Sequence, residues 1–170
     1  MNYRPKKVAV LGSGVMGSGI ACHLANVGMD VIMLDIVTPK LSDNDSKSKF
    51  HRNKLVNSAL QKTIKSKPAP LYHKSFSSRI KTGNFEDDFD KISESDWIIE
   101  VVVENLEIKK QIFEKVDKHR KNGSLVSSNT SSIPINLLAQ DCSNDFKSCF
   151  CGTHFFNPVR YLKLLEIIPI

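Results

Sequence analysis

The sequence predicts an α/β fold with a doubly wound, mostly parallel β-sheet, and three observations carry this prediction. The apolar run at residues 7–12 is typical of a parallel strand that is covered on both faces. A glycine-rich turn follows, and residues 18–27 then carry apolar side chains at helical spacing. A second apolar run, residues 31–35, comes directly after this helix. Strand, tight turn, helix and strand in about 30 residues form the unit of a doubly wound sheet.

The region after the second strand departs from this alternation. Residues 38–49 are polar and charged, which predicts a loop. Residues 50–67 carry apolar side chains at spacings typical of an amphipathic, basic helix, which Pro68 and Pro70 would end. We therefore expect a helical excursion at about residues 43–78.

The second half of the chain returns to the strand pattern. Strands are predicted within residues 79–83, 96–103, 124–129, 148–155 and 163–168. Asn105 is predicted to cap a helix that ends at Asn122-Gly123. Because the chain stops in an apolar, strand-like segment, we expect it to be a piece of a longer polypeptide.

Composition excludes several classes of protein. The chain has 170 residues, of which 41% are hydrophobic and 25% charged, and these proportions argue against a disordered or collagen-like chain. No apolar run approaches the roughly 20 residues that a membrane span requires, and we expect no secretory signal. Four cysteines need no disulfide framework in a chain of this length, so a reducing, cytoplasmic location is expected.

The formal net charge of +6 is compatible with an anionic partner. Lysine and arginine are spread from residue 4 to residue 163, without interleaved aromatic residues and without helix-turn-helix or zinc-finger spacing. We therefore predict no nucleic-acid binding. A solvated surface accounts for most of this charge, and a small phosphorylated ligand is the alternative.

The glycine-rich turn has the spacing Gly12-x-Gly14-x-x-Gly17 between a predicted strand and a predicted helix. Gly12 would permit the tight turn, Gly14 would let a pyrophosphate approach the backbone, and Gly17 would let the helix pack close to the sheet. Val15 and Met16 lie in the same turn and are predicted to contact the cofactor, because free amides and the positive helix end attract the diphosphate.

Asp35 ends the second strand, 18 residues after the last glycine of the turn. A carboxylate at this position accepts hydrogen bonds from a ribose diol and repels a 2′-phosphate, so NAD is favoured over NADP. Together with the turn it predicts a Rossmann-like fold. A glycine-rich turn with an incidental aspartate is the alternative.

Further blocks of sequence follow in the second half. They are Val-Glu-Asn-Leu at 103–106 with Lys109, Asn-Thr-Ser-Ser at 129–132, His-Phe-Phe-Asn-Pro at 154–158 and Leu-Glu at 165–166. With these blocks in this order, residues 6–168 resemble the NAD-binding domain of the 3-hydroxyacyl-CoA dehydrogenases of fatty-acid β-oxidation. The resemblance implies NAD as cofactor and oxidation of 3-hydroxyacyl-CoA to 3-oxoacyl-CoA.

The resemblance also implies a domain organisation. Residues 1–170 would form the NAD-binding domain, and the C-terminal helical dimerisation domain of the family is absent from these residues. The parent protein would be a homodimer or part of a multifunctional complex, in which the dehydrogenase is fused to an enoyl-CoA hydratase.

Oxidation of a secondary alcohol requires a base for the hydroxyl proton, and histidine suits this because its pKa lies near working pH. His154 matches the family's catalytic histidine; a structural histidine beside Phe155 and Phe156 is the alternative. Glu166 lies in an apolar strand, where a carboxylate is costly to bury without a partner. The resemblance supplies His154 as that partner, and a glutamate at a strand edge facing water is the alternative.

Four further residues receive roles from the resemblance. Ser131 matches the position whose hydroxyl contacts the substrate oxygen and which also borders the cofactor. Asn157 would position substrate or nicotinamide near the histidine. Glu104 and Lys109 match positions that line the nicotinamide side of the cofactor. The alternative for Ser131 and Asn157 is a purely structural role, because serine and asparagine are common in loops where their side chains stabilise turns. The alternative for Glu104 and Lys109 is an exposed pair at the start of a helix.

The basic helix at residues 50–67 resembles the family's helical excursion that receives coenzyme A. Lys62, Lys65 or Lys67 would contact its phosphates; a solvated basic face is the alternative. Cys149-x-Cys151 and the following histidine lack a fourth ligand, so no metal site is predicted.

Three functions compete at this stage. The first is the cofactor half of an NAD-dependent 3-hydroxyacyl-CoA dehydrogenase, with little or no turnover by these residues alone. The second is another β-hydroxyacid dehydrogenase with the same glycine turn, although such enzymes typically use a lysine. The third is a non-catalytic NAD-binding or structural member of the same family.

Overall fold

The computed structural model describes residues 4–170, whose strands form one sheet in the order β3-β2-β1-β4-β5-β6-β7. Neighbouring strands are parallel except β6 and β7, which are antiparallel. The strands are β1 Lys7–Leu11, β2 Asp30–Asp35, β3 Ile80–Asn84, β4 Trp97–Glu100, β5 Leu125–Ser128, β6 Phe150–Phe155 and β7 Leu165–Pro169. β2 and β3 follow one another on one side of β1, and β4 to β7 follow on its other side. The strand order thus reverses at β1, and the predicted doubly wound topology is confirmed.

Helices cover both faces of the sheet. They are α1 Val15–Asn26, α2 Lys49–Arg52, α3 Lys54–Ile64, α4 Leu106–His119, α5 Ile135–Leu138 and α6 Asn144–Ser148, with short 3₁₀ segments at Asp45–Lys47, Lys74–Arg79 and Phe89–Glu94. None of the helices in residues 4–170 has the length and apolar character needed to cross a membrane.

The central strand β1 is buried on both faces of the sheet, which explains its continuously apolar sequence. Val8 and Val10 belong to a core that includes residues of α1 and α3. Ala9 and Leu11 belong to a second core on the opposite face, which includes residues of α4. All four are at most 1% exposed, as expected for a parallel strand that is covered on both faces.

The helical excursion between β2 and β3 differs from its prediction. The single helix expected at 50–67 is two helices, α2 and α3, separated by the buried Asn53. Its Oδ1 accepts a hydrogen bond of 2.6 Å from Asn84 Nδ2 in β3. This tertiary bond fixes Asn53 at the break, and the second helix ends at Ile64, before the two prolines. The 38–49 segment predicted as a loop contains the 3₁₀ turn Asp45–Lys47.

Two further boundaries differ in the second half. The strand expected at 96–103 ends at Glu100, whose side chain accepts the Val102 backbone N–H and turns the chain out of the sheet. The predicted cap of α4 is confirmed, because Asn105 Oδ1 accepts the Ile108 N–H at 3.1 Å. That helix stops at His119 rather than at 122–123, since Arg120 is extended and its buried side chain pairs with Asp145.

The last strand is the clearest departure from expectation. β7 lies at the edge of the sheet, pairs only with β6, and is exposed along its whole length. The apolar run that suggested a buried strand therefore faces solvent in the part of the chain that the structure describes.

Candidate functional site

A cavity of about 1240 Å³ opens at the carboxyl ends of β1, β2, β4, β5 and β6. This edge of a doubly wound sheet, at the point where the strand order reverses, is the usual place for ligands. Ten residues singled out in the sequence line the cavity: Gly12, Gly14, Val15, Met16, Asp35, Glu104, Lys109, Ser131, His154 and Asn157. The fold therefore brings together groups that are up to 145 residues apart in the chain.

The glycine turn connects β1 to α1 with almost no free space behind it. Gly12 has φ +113°, and a Cβ there would lie 2.5 Å from the carbonyl oxygen of Val101. A Cβ on Gly17 would overlap the Gly12 carbonyl oxygen and lie 2.9 Å from its carbon. Gly17 does not line the cavity, and its contact explains the close approach of α1 to the turn. Gly14 is different, because a Cβ there meets no atom within 4 Å.

Asp35 faces the turn from the end of β2. Its Oδ2 accepts hydrogen bonds from the Ser13 backbone N–H at 2.7 Å and the Ser13 hydroxyl at 2.5 Å. Its Oδ1 accepts the Ile36 N–H at 2.7 Å. Ser13 is buried and lines the cavity beside Asp35, so it holds the carboxylate at the turn. Sequence reasoning missed this residue, whose only signal is a hydroxyl inside the glycine motif.

His154 and Glu166 are directly opposite each other on the antiparallel pair β6 and β7. Directly opposed residues of such a pair point to the same face, and His154 Nδ1 lies 2.7 Å from Glu166 Oε2. The ring of His154 also stands 4.5 Å from that of Phe156, measured between centroids. The Glu166 side chain is 50% exposed, so its expected burial is wrong. It lies at a strand edge and faces solvent, yet it still contacts the histidine.

Two turns bring the remaining predicted groups to the cavity that His154 lines. Ser131 and Asn157 both line the cavity, one after β5 and the other after β6. Asn129, which sequence reasoning treated only as part of a motif, ties these ends together, since its Oδ1 accepts the Phe155 N–H at 2.8 Å. This bond fixes the backbone next to His154.

A buried ionic cluster lies beneath this end of the cavity. Lys109 is 1% exposed, so the hypothesis of an exposed pair at the helix start is wrong for it. Its Nζ lies 2.7 Å from Glu100 Oε1 and 3.2 Å from Glu104 Oε2. Glu100 is fully buried and also accepts the Ser128 hydroxyl at 2.5 Å. Sequence reasoning missed Glu100, because a lone glutamate in an apolar strand does not reveal which way it faces.

The two glutamates of the cluster have opposite pKa shifts. Burial raises the pKa of Glu100 above its ordinary value, and the nearby Lys109 only partly opposes this. Burial also disfavours ionisation of Glu104, but hydrogen bonds from Thr130 and Ser132 and the charge of Lys109 outweigh it and lower its pKa to about 2. Glu104 is therefore a carboxylate at any working pH.

The basic residues of the excursion are only partly brought to the site. A second cavity of about 470 Å³ shares Gly14 and Asn157 with the larger one and is lined by Lys62 and Lys67. Lys65 lines neither cavity, so the structure separates it from the other two.

The cysteine pair provides no metal site. Cys151 and His154 are separated by an odd number of positions on β6 and therefore point to opposite faces of the sheet. Within residues 4–170 no group of three or more histidine, cysteine, aspartate or glutamate side chains could hold a metal ion.

Comparisons with known proteins agree with this site. A family model described as "3-hydroxyacyl-CoA dehydrogenase, NAD binding domain" matches residues 7–170. A "Probable 3-hydroxyacyl-CoA dehydrogenase" of Bacillus subtilis is 57% identical over 100% of this chain and 22% of that protein. A "Putative fatty acid oxidation complex trifunctional enzyme" of Rickettsia felis is 44% identical over 99% of this chain and 22% of that protein.

Solved structures show the same relationship. The crystal structure of (S)-3-hydroxybutyryl-CoA dehydrogenase from Ralstonia eutropha superposes with a TM-score of 0.70 at 33% identity, over 96% of this chain and 54% of that one. The chain thus spans about half of that structure and less than a quarter of the two relatives named above.

Proposed function

Because the chain belongs to the family of 3-hydroxyacyl-CoA dehydrogenase NAD-binding domains, we propose that residues 1–170 are the cofactor half of an enzyme that oxidises 3-hydroxyacyl-CoA to 3-oxoacyl-CoA. The observation that carries the proposal is that His154, whose Nδ1 lies 2.7 Å from Glu166 Oε2, lines the same cavity as the glycine turn and Asp35. A base and a dinucleotide turn sharing one cavity is what this oxidation requires.

The residues of the chain fit NAD along the cavity. Asp35 would accept hydrogen bonds from the adenosine ribose, and the backbone of the glycine turn would hold the pyrophosphate at the start of α1. Bound NAD supplies the carbon that accepts a hydride. Because His154 lines the same cavity as the turn, the substrate alcohol would meet the cofactor beside this histidine.

His154 would act as the general base. Its Nδ1 faces Glu166, so the other ring nitrogen, Nε2, is the atom that would take the proton of the substrate hydroxyl. With this proton on His154, the alcohol would become a ketone once bound NAD had accepted the hydride from its carbon. Glu166 would fix the histidine tautomer and stabilise the imidazolium that forms. Ser131 and Asn157 would bind the substrate oxygen and orient the reacting group.

The acyl-CoA itself would be held partly by the second cavity. Lys62 and Lys67 place two positive charges there, next to the nucleotide turn, and coenzyme A carries several phosphates. Lys65 has no place in this proposal because it lines neither cavity. The name of the R. felis relative supports a multifunctional complex as the form of the complete protein, and a homodimer stays a prediction.

The test replaces the matching segment of the B. subtilis relative with this chain. The chimera should oxidise 3-hydroxybutyryl-CoA in preference to free 3-hydroxybutyrate, as measured by NADH absorbance. Within it, His154→Gln should reduce kcat by about 100- to 10,000-fold while NAD binding persists. This chain alone should bind NAD with little turnover. Equal rates for thioester and free acid, or full activity of the histidine variant, would contradict the proposal.

A further inference from the structure

The buried cluster of Glu100, Lys109 and Glu104 has an unusual composition for a protein interior. Two carboxylates share one ammonium group, with Nζ–O distances of 2.7 and 3.2 Å. The Glu100 side chain is fully buried and that of Lys109 is 1% exposed. Buried ion pairs add little stability compared with apolar side chains of similar size. The cluster therefore calls for a reason other than stability.

Burial raises the pKa of Glu100, but the hydrogen bonds around its carboxyl group oppose this effect and favour the charged form. Lys109 Nζ and the Val102 backbone N–H both donate to Oε1 at 2.7 Å, and the Ser128 hydroxyl donates to Oε2 at 2.5 Å. Both oxygens thus face donors, which is the pattern that a carboxylate requires. With Glu100 and Glu104 ionised and Lys109 protonated, the cluster carries one net negative charge.

This charge lies beside the end of the cavity where chemistry is proposed. Glu104 accepts the backbone N–H of Ser131 at 3.3 Å and lines the cavity with Lys109 and His154. Asp35 and the glycine turn also line it and would hold the adenosine and the pyrophosphate. Glu100 does not line the cavity itself, but it accepts hydrogen bonds from two residues that do, Lys109 and Val102. Glu114 and Lys115 also line it, and their opposite charges largely offset each other.

The two forms of the cofactor differ in charge at this end. The nicotinamide ring is positively charged in NAD⁺ and neutral in NADH, while the rest of the molecule is the same. A fixed negative charge in a poorly solvated site therefore attracts the oxidised form selectively. Without Glu100, Lys109 and Glu104 would neutralise each other and this selectivity would fall.

We propose that Glu100 is a specificity-determining residue, which gives this cluster its net negative charge and thereby favours binding of oxidised over reduced cofactor. The inference rests on the proposed function, because it takes the nicotinamide ring to lie near Glu104 and Lys109. Its consequence is that the site stays loaded with the form that alcohol oxidation consumes and releases the form that it produces.

The test measures dissociation constants for NAD⁺ and NADH separately, by calorimetry and by NADH fluorescence, on the 170-residue chain. Glu100→Gln keeps the size of the side chain and removes its charge. We expect it to shift the ratio of the two constants towards NADH by about three- to tenfold. Glu94→Gln is the matched control, because Glu94 is an exposed acid that pairs with Lys7 and does not line the large cavity. It should leave the ratio unchanged.

Two outcomes would overturn the inference. An equal loss of affinity for both forms in Glu100→Gln would show a purely structural role, and an unchanged ratio would show no role for its charge. If that variant does not fold, Glu104→Gln decides, because its side chain is 39% exposed and its charge counts equally in the cluster. A wild-type chain that binds neither form would instead refute the proposed function itself.

Discussion

Replacing Gly14 with alanine should separate cofactor binding from folding. Gly14 has φ −57° and ψ −175°, a backbone conformation open to alanine, and the added Cβ meets no atom within 4 Å. The lower entropy of alanine in the unfolded chain offsets its weaker preference for the start of a helix. We therefore expect the free energy of unfolding to change by less than about 0.5 kcal/mol.

The same methyl group should interfere with NAD. Gly14 lines the cavity in the turn where the pyrophosphate is proposed to lie. Forcing one extra carbon into a close-packed contact costs about 1–3 kcal/mol. The dissociation constant for NAD should rise accordingly, by about five- to 150-fold.

Gly17→Ala is the matched variant with the opposite expectation. Its Cβ would overlap the backbone of Gly12, which cannot move aside as a flexible side chain would. The turn and α1 must separate, so we expect a loss of stability of about 1–3 kcal/mol in addition to weaker NAD binding. Urea unfolding gives the stability of both variants, and calorimetry gives their affinities.

Two results would refute this reasoning. If Gly14→Ala binds NAD as tightly as the wild type, the pyrophosphate does not approach the backbone at this turn. If it loses as much stability as Gly17→Ala, the space around Gly14 is not open, and the loss of binding would reflect unfolding.

Three further predictions concern the folded chain. Hydrogen bonds from Lys121 and the backbone lower the pKa of Asp96 to about 2, so its ionised form stabilises the fold above its ordinary pKa and the effect is lost as pH falls towards 2. Asp96→Asn should cost about 1 kcal/mol at neutral pH after allowance for solvent screening, and urea unfolding at about pH 2 should show a clearly smaller difference. Phe113→Ala should cost about 3–5 kcal/mol in the same measurement, because the ring is fully buried against Phe146 and Phe150; a loss below about 1 kcal/mol would contradict this packing. Burial raises the pKa of the Cys22 thiol to about 12, so a thiol-reactive dye at mild alkaline pH should label it only after unfolding, and rapid labelling of the native chain would be the contrary result.

Local patterns in the sequence were sufficient to predict the nucleotide end of the site. The glycine turn, the following helix and Asp35 lie within one continuous strand–helix–strand unit, so their spacing alone places them together. The cap at Asn105 is equally local. Ser13 belongs to the same unit, but its bond to Asp35 depends on a side-chain orientation that spacing does not specify.

Features that depend on tertiary contacts could not be predicted in the same way. The break at Asn53 exists because Asn84, 31 residues later, supplies a buried hydrogen-bond partner. The positions of Lys62 and Lys67 at the second cavity, and of Lys65 outside both, depend on how α3 and the segment that follows it pack in the fold. Helical periodicity gives the face of a helix but not its neighbour.

Glu100 and Glu166 show the limit most clearly, because their local sequences are alike. Each is a glutamate in an apolar strand, flanked by valine, leucine or isoleucine. Glu100 ends β4, which lies between β1 and β5 in the middle of the sheet, and it is fully buried against Lys109. Glu166 lies in the edge strand β7 and is half exposed.

Strand order therefore decides the chemistry available to each carboxylate. An exposed carboxylate can hold a histidine in place and still contact water, which suits the proposed role of that histidine as a base that gains and loses a proton. A buried one that hydrogen-bond donors hold ionised carries its charge in a medium that screens it poorly, which suits the field proposed to act on the cofactor. Because strand order arises from the whole sheet, the sequence around either residue carries no sign of this difference.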